Sequence, residues 1–183
     1  MSLEPRGRTI WHFTMSLDGF LADERGSLDW MPMDAGPVPM GTALVPHIGA
    51  LLVGRRTFDA GLAAGGSGAY GGAYTGPVFV LTHRPGPPGP GGEELVTGGL
   101  LAALTRAREA AAGRAVVIFG AQLGQECLDA GELDELLVHI APVLIGAGTA
   151  AFATGQAGLR TLSVLERSPA DQLTTLRLAP RSR

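Results

Sequence analysis

The apolar positions of this chain are gathered into short runs that have the length of strands. Three of these runs contain four or five consecutive apolar side chains and lie at residues 50–53, 78–81 and 115–119. Runs this short and this apolar are typical of strands that are buried on both faces of a sheet. Residues 9–15 alternate well enough to predict a further strand, and a longer apolar run at 133–145 is interrupted by Pro142.

Helical spacing predicts the connections between these strands. The apolar side chains of Leu123, Cys127 and Leu128 lie on one side of a helix that begins at Gly120 and ends near Gly131. Further helices are predicted at residues 40–48 and 100–112. Residues 159–165 and 172–178 alternate like two antiparallel strands. A single mixed sheet with parallel and antiparallel strands is therefore the expected α/β architecture.

Two segments lack either pattern. Residues 23–39 are predicted to form a long loop, and loops of this length in compact domains often close over a site. Residues 61–76 consist largely of Gly and Ala and are predicted to be a flexible surface insertion, because such side chains cannot pack densely. The length of 183 residues indicates one domain, which we place at residues 7–179.

Charge and composition exclude several functions. The net charge of −3 gives the chain no basic field for nucleic acid or an anionic membrane. No apolar stretch reaches the roughly 20 residues of a membrane span, and no signal peptide is recognisable, so we expect a cytoplasmic protein. The absence of lysine excludes a Walker P-loop and a lysine Schiff base.

Cysteine and histidine give little sign of reactive chemistry. The single cysteine, Cys127, excludes an internal disulfide and is interpreted as a small core residue. The four histidines are scattered without metal-ligand spacing, so no metal site is expected. They are His12, His47, His83 and His139.

Polar and glycine residues cluster where the predicted strands end. Gly120 is either a tight turn or a place where the backbone approaches a phosphate at a helix N-terminus. Asp18 is either a ligand contact or the cap of its own turn. Two further clusters follow strands and carry arginines, which suit an anionic ligand. These clusters are Gly54, Arg55, Arg56 and Thr57, and Thr82, His83 and Arg84.

Four motifs in the same order resemble those of a known family along nearly the whole chain. They lie at residues 16–19, 54–58, 120–123 and 131–148. On these motifs the chain resembles the dihydrofolate-reductase-like proteins of the riboflavin-biosynthesis reductase type (RibD C-terminal domain). The resemblance implies a three-layer fold: a central, mostly parallel mixed sheet with helices on both faces and a C-terminal antiparallel hairpin.

The resemblance also implies an NADPH site and the residues that form it. The pyrophosphate would lie against Gly54, Arg55, Arg56, Thr57, Gly120, Ala121, Gln122 and Leu123. The adenosine ribose would lie by Thr82, His83 and Arg84, with Arg84 at the 2′-phosphate. The nicotinamide and substrate would lie by Asp18 and Gly19, under a loop that carries Asp29 and Trp30. Asp134 and Glu135 match the family but are interpreted as structural.

Two departures from the family pattern bear on function. Ala121 stands where the family usually has a second glycine. Dihydrofolate reductases carry an acidic residue at a position that falls near Val38 in this chain. The nearest acidic residue in this chain is Asp34, so folate reduction is not expected. A zinc-ligating Cys/His set of the kind found in a deaminase half is also missing from this sequence.

These observations lead to two functional hypotheses. The first is an NADPH-dependent reductase of a small heterocyclic or carbonyl substrate. The specific substrate that we expect is a ribosylamino-pyrimidine, and the proton would come from Asp18 or from water. The alternative is a non-catalytic NADP(H)-binding or regulatory protein on the same fold. The resemblance implies a homodimer, and the apolar run at 136–145 suggests a strand that pairs across the subunit contact.

Overall fold

The computed structural model describes residues 7–31, 39–63, 65, 68–152, 159–170 and 172–181. The strands in this part of the chain are β1 Thr9–Ser16, β2 Phe20–Ala22, β3 Ile48–Gly54, β4 Val78–Leu81, β5 Glu94–Val96, β6 Ala115–Phe119, β7 Glu135–Ala141, β8 Thr149–Ala150, β9 Leu162–Ala170 and β10 Leu173–Pro180. The helices are α1 Pro39–Leu44, α2 Arg55–Ala63, α3 Leu100–Ala111 and α4 Ala121–Asp129, with 3₁₀ turns at Val45–His47 and Ala69–Gly72.

The main sheet has eight strands in the order β5-β4-β3-β6-β1-β7-β10-β9. The six strands from β5 to β7 pair in parallel, whereas β10 pairs antiparallel with both β7 and β9. Strands β2 and β8 form a separate antiparallel pair. The sheet confirms the predicted mixed, mostly parallel architecture with a C-terminal antiparallel hairpin.

Alternate residues of the strands are buried in two separate cores, one on each face of the sheet. One core contains Trp11 and Leu52 and is covered by side chains of α3 and α4, such as Leu104 and Cys127. The other contains Ile10 and Leu51, together with side chains of α1. This alternation follows from the period of two along a strand and confirms that helices cover both faces.

Cys127 is a core residue, as the sequence predicts. Its side chain is fully buried in the core under α4. Burial disfavours the thiolate and raises the pKa of the Cys127 thiol to about 12. The thiol is therefore protonated at neutral pH and unsuited to nucleophilic chemistry.

The two acidic residues that precede or begin β7 are structural, as predicted. Asp134 accepts a hydrogen bond from the backbone N–H of Thr9 at 2.7 Å and so fixes the start of β1 against β7. Glu135 is buried and forms ion pairs with Arg8 and with Arg177, whose Nε lies 3.2 Å from Oε2 of the carboxylate. Both carboxylates hold strands together.

Strand β7 does not pair across a subunit contact. It lies inside the sheet, with β1 along one edge and β10 along the other, so both of its hydrogen-bonding edges are occupied. The prediction that this apolar run pairs with a second subunit is therefore wrong. The run is apolar because β7 is an internal strand that is buried on both faces.

The Gly/Ala-rich residues 61–76 contain two aromatic side chains that pack against the core. Tyr70 and Tyr74 are partly buried against the core on the α1 face. The α2 helix extends into this segment as far as Ala63. The extent of the insertion and the domain boundaries at 7–179 stay predictions. None of the helices in the described ranges is long and apolar enough to cross a membrane.

The position of α4 depends on a glycine beneath Trp11. A Cβ atom at Gly124 would lie 2.0 Å from Cε2 of Trp11, so the helix backbone rests directly on the indole ring. Trp11 is fully buried between α4 and the aromatic ring of Phe13, whose centroid is 4.5 Å away. The first turn of α4 is therefore positioned by the residue type at 124.

We expect Gly124→Ala to lower the free energy of unfolding by about 2 kcal/mol or more, because overpacking at the indole outweighs the ~1 kcal/mol that Ala gains over Gly in a helix. Gly61→Ala is the matched control, since its added Cβ in α2 would have no heavy atom within 4 Å. We expect this control to be neutral or stabilising. Urea unfolding measures both, and equal stabilities of the two variants would contradict the close packing of α4 on Trp11.

Candidate active site

The three turns that the sequence singled out follow neighbouring strands and meet at one edge of the sheet. Val53 of β3 is paired with Phe119 of β6, so Gly54 and Gly120 follow at the same level. Gly54 is paired in turn with Leu81 of β4, which directly precedes Thr82. This edge, at the carboxyl ends of parallel strands, is where α/β proteins bind ligands.

Gly120 brings two of these turns into contact. Its backbone has φ +116°, and an added Cβ would lie 2.8 Å from Oγ1 of Thr57, the third residue of α2. The turn before α4 therefore passes against the first turn of α2, with no room for a side chain. This close approach needs glycine at 120 and leaves a cradle between two helix N-termini, lined by the backbone of Gly54 and Gly120 and by the hydroxyl of Thr57.

Helix α4 begins with backbone donors that face this cradle. Its first helical hydrogen bond runs from the N–H of Gly124 to the carbonyl of Gly120, so the N–H groups of Ala121, Gln122 and Leu123 have no partner within the helix. The side chains have other contacts: Leu123 is buried in the core, and Gln122 donates to Glu126 at 2.9 Å. These residues can therefore serve an anion through the backbone.

The arginines of the site differ in whether they form an ion pair with a carboxylate of the chain. Arg55 forms an ion pair with Asp59, with its Nε 2.9 Å from Oδ1. Arg56 and Arg84 are exposed, and neither forms an ion pair within the described ranges. The two unpaired guanidinium groups are the better candidates for an anionic ligand.

Thr82 positions the third turn. Its side chain is buried, its N–H donates to the carbonyl of Val96 at 3.0 Å, and its Oγ1 accepts from the N–H of Arg84 at 3.1 Å. His83 and Arg84 are exposed beyond it. The assignment of all three residues to a cofactor stays a prediction.

Asp18 connects the loop after β1 to the loop after β7. Its carboxylate accepts hydrogen bonds from Ser16 Oγ at 2.6 Å and from the N–H groups of Ile145 and Gly146 at 3.1 and 2.7 Å. The Ser16 hydroxyl, helped by these N–H groups, lowers the pKa of Asp18. The arrangement favours an ionised carboxylate that holds the loop after β7, and it disfavours Asp18 as a proton donor.

The other residues predicted near the substrate lie in connected loops. Gly19 has φ +89°, and its carbonyl accepts from the N–H of Ala151 at 2.8 Å. The N–H of Asp29 donates to Ser27 Oγ at 3.1 Å, and the indole Nε1 of Trp30 is buried without a partner in the described ranges. Residues 32–38 of the predicted closing loop lie outside the described residues, so its closure stays a prediction.

The structure brings together two histidines that the sequence analysis took to be isolated. His12 of β1 and His139 of β7 are 127 positions apart, yet their Nε2 atoms are 2.7 Å apart. The interpretation of these two as scattered residues is therefore wrong, because spacing along the chain does not show which strands become neighbours. Among the described residues, no group of three or more His, Cys, Asp or Glu side chains could hold a metal ion.

The histidine pair is the centre of a chain of four side chains across the sheet. His12 Nδ1 lies 2.7 Å from the hydroxyl of Tyr70, and His139 Nδ1 lies 2.8 Å from Oγ1 of Thr175. Burial lowers the pKa of His12 to about 3, helped by the charge of His139. Burial also lowers the pKa of His139 to about 4. At neutral pH both imidazoles are uncharged and share a single proton between their Nε2 atoms.

The order and direction of the strands, with a cradle at their carboxyl ends, define a dihydrofolate-reductase-like α/β protein. The structure of dihydrofolate reductase from Enterococcus faecalis complexed with NADP(H) and RAB-propyl is similar, with a TM-score of 0.65. The two chains are 16% identical, and the match covers 97% of this chain and 98% of that one. This similarity confirms the predicted fold class.

The chain belongs to the RibD C-terminal domain family, whose model matches residues 8–178. This membership confirms the resemblance and supports an oxidoreductase. A comparison with curated protein sequences found no match.

Two further solved structures show the same relationship. A protein of Shewanella sp. PV-4, provisionally described as a riboflavin biosynthesis protein, has a TM-score of 0.81 and 26% identity, over 96% of this chain and 99% of that one. The Thermotoga maritima diaminohydroxyphosphoribosylaminopyrimidine deaminase/5-amino-6-(5-phosphoribosylamino)uracil reductase has a TM-score of 0.68 and 16% identity. The match covers 96% of this chain and 57% of the Thermotoga chain.

We expect the free energy of unfolding to fall as the pH drops below about 6.5, the pKa of an unfolded histidine. The folded state holds the pKa of His12 at about 3 and that of His139 at about 4, so only the unfolded state takes up these protons between pH 6.5 and 5. The two uncharged histidines contribute their full stabilisation of the folded state above pH 6.5. As the pH falls below 6.5, the free energy of unfolding declines by at most ~1.4 kcal/mol per pH unit for each histidine.

Urea unfolding between pH 7.5 and 5 measures this slope. We expect His139→Gln to reduce it by about half, because one of the two buried imidazoles no longer titrates. His83→Gln, at an exposed position, is the control and should keep the slope of the parent protein. A slope that is the same in all three proteins would show that the histidine pair is not its source.

Proposed function

We propose that this protein is an NADPH-dependent reductase that transfers a hydride to a small heterocyclic, pyrimidine- or pterin-like, or carbonyl substrate. The observation that carries the proposal is the contact between the turns of Gly54 and Gly120 at the sheet edge, beside two arginines without ion pairs in the described ranges. Membership of the RibD C-terminal domain family supports the same activity.

The residues of this edge fit a dinucleotide. Gly120 has no Cβ to push the Thr57 hydroxyl away, so the backbone of this turn and that hydroxyl could approach a pyrophosphate together. The free N–H groups at the start of α4 suit its negative charge. Arg84, on the neighbouring turn after β4, would distinguish NADPH from NADH through the 2′-phosphate.

When bound, NADPH supplies the hydride, and the chain supplies orientation and electrostatics. Arg56 and the α4 backbone would fix the pyrophosphate. Asp18 would act through the loop that it holds, because its carboxylate is committed to Ser16 and to the N–H groups of Ile145 and Gly146. The proton is then proposed to come from water that reaches the substrate.

A ribosylamino-pyrimidine is the specific substrate that we propose. The support is the family and the reductase activity in the name of the similar Thermotoga protein. The absence of an acidic residue near Val38 argues against a folate as the substrate. Detection of NADPH oxidation with 5-amino-6-ribosylaminouracil but not with dihydrofolate is the test.

A second candidate is a non-catalytic NADP(H)-binding or regulatory protein on the same fold. The hydrogen bonds and lowered pKa of Asp18 favour it, because they remove the proton donor that the sequence suggested. The methyl group of Ala121 at the start of α4 also departs from the family pattern. Turnover of NADPH with any substrate would exclude this candidate.

We expect Arg84→Ala to weaken NADPH binding by about tenfold, the loss of one charge-assisted contact, and to leave NADH binding unchanged. Fluorescence titration with both nucleotides measures this, in 0.1 M salt to limit screening differences. Arg181→Ala is the control, because Arg181 is an exposed arginine that donates to Ser163 Oγ after the last strand. Equal losses for NADPH and NADH would contradict a role at the 2′-phosphate, and binding of neither nucleotide to the parent protein would reject the proposed function.

We also propose a homodimer and a cytoplasmic location, both of which rest on the resemblance and the composition. Light scattering should give a mass near twice the 18.8 kDa of one chain. A mass equal to one chain at micromolar concentration would reject the dimer.

A further inference from the structure

Tyr70 is held in a backbone conformation that its side chain disfavours. Its φ and ψ are +56° and +37°, in the left-handed region that residues other than glycine rarely adopt. Gly71 and Gly72, directly after it, also have positive φ, and so does Gly68 before it. Strained residues of this kind persist where other contacts fix them, and they are frequent at functional sites.

The ring of Tyr70 packs in a cluster with the rings of His12 and Phe119, whose own centroids are 6.1 Å apart. Its centroid is 5.4 Å from the imidazole of His12, at an interplanar angle of 33°, and 5.7 Å from the ring of Phe119, at 47°. On the same side of the sheet, Gly41 of α1 lies against both imidazoles, since a Cβ there would be 3.4 Å from His12 and 3.5 Å from His139. The tyrosine ring is thus tilted against two aromatic rings, on the face of the sheet where Gly41 packs against both imidazoles.

Among the described residues, the hydroxyl of Tyr70 has one hydrogen-bond partner, His12 Nδ1 at 2.7 Å. The role of that nitrogen depends on which histidine carries the shared proton. If His12 Nε2 donates to His139, then His12 Nδ1 is an acceptor; if His139 donates, then His12 Nδ1 carries a proton and is a donor. The same nitrogen can therefore bind an N–H or O–H group, or a carbonyl.

The ring is next to the proposed cofactor turn. Phe119 is the last residue of β6 and is followed at once by Gly120. His12 is one residue beyond Trp11, which is paired with Ile118, so the imidazole and Phe119 are at the same level of the sheet. A planar molecule in the place of the Tyr70 ring would lie within one residue of the backbone that we assign to NADPH.

We propose that the Tyr70 ring occupies the binding site for the heterocycle of the substrate and that the substrate displaces it. The ligand is a planar nitrogen heterocycle with neighbouring N–H and C=O groups, which stacks against Phe119 and bonds to His12 Nδ1. The glycines on both sides of Tyr70 let the segment move away. This inference rests on the proposed function, since it assigns the substrate end of the same site.

The test uses 5,6-diaminouracil as the probe, measured by calorimetry at saturating NADP⁺. We expect Tyr70→Gly to bind the probe about tenfold more tightly than the parent protein, because the site no longer has to be vacated first. Glycine suits φ +56°, so this variant relieves the local strain. Tyr70→Phe loses the hydroxyl contact alone and should bind about threefold more tightly.

Tyr74→Phe is the matched control, because Tyr74 lies in the same segment and donates its hydroxyl to the carbonyl of Pro77 at 3.0 Å, away from His12. Its affinity for the probe should equal that of the parent protein. A second probe, phenol, should raise the melting temperature of Tyr70→Gly and leave that of the parent protein unchanged. If Tyr70→Gly fails to fold, the affinity of Tyr70→Phe for 5,6-diaminouracil tests the proposal by itself.

Several outcomes overturn the inference. Probe affinity that is unchanged or weaker in the Tyr70 variants would show that the ring is a structural or ligand-contacting residue. Failure of Tyr70→Gly to bind either probe would show that no ring-binding site lies there. An NADPH titration on the same samples separates the two proposals: binding of NADPH without a gain for the probe rejects only the displacement by substrate, whereas absence of NADPH binding rejects the proposed function.

Discussion

The parallel alignment of β3, β6 and β1 is the constraint on which the site depends. Because Val53 is paired with Phe119 and Trp11 with Ile118, β3 and β6 end at nearly the same level, and His12 of β1 lies beside their ends. A shift of one residue in either pairing would turn the alternating side chains to the opposite core and separate the two glycine turns. The hydrophobic alternation that selects the register therefore also assembles the cradle at Gly120.

Two glycines fix α4 at the points where that helix approaches other parts of the chain. Gly120 allows the turn before the helix to pass against Thr57, and Gly124 allows its first turn to rest on Trp11. One contact is part of the candidate site, and the other is part of the core. Packing of the indole thus determines how closely the helix N-terminus approaches a ligand, and substitutions in the core can alter binding without touching the site.

Much of this could be predicted from the sequence. Short apolar runs showed the strands, and glycine after a strand showed where the turns gather. What the sequence did not show were contacts between distant strands: His12 with His139, or the internal position of β7. These depend on strand order, which local patterns do not encode. Tyr70 was missed for another reason, since a Gly/Ala-rich composition hides the few side chains that pack, among them Tyr70 and Tyr74.

The central place of β1 has a consequence for how the chain acquires its structure during synthesis. This strand leaves the ribosome before the other strands in the described ranges, yet its partners in the main sheet, β6 and β7, begin at residues 115 and 135. Until they emerge, the apolar strand has no edge to join and remains a target for chaperones or for other nascent chains. Contacts of such long sequence separation also slow folding, because the ends of a long loop must meet before the sheet is complete.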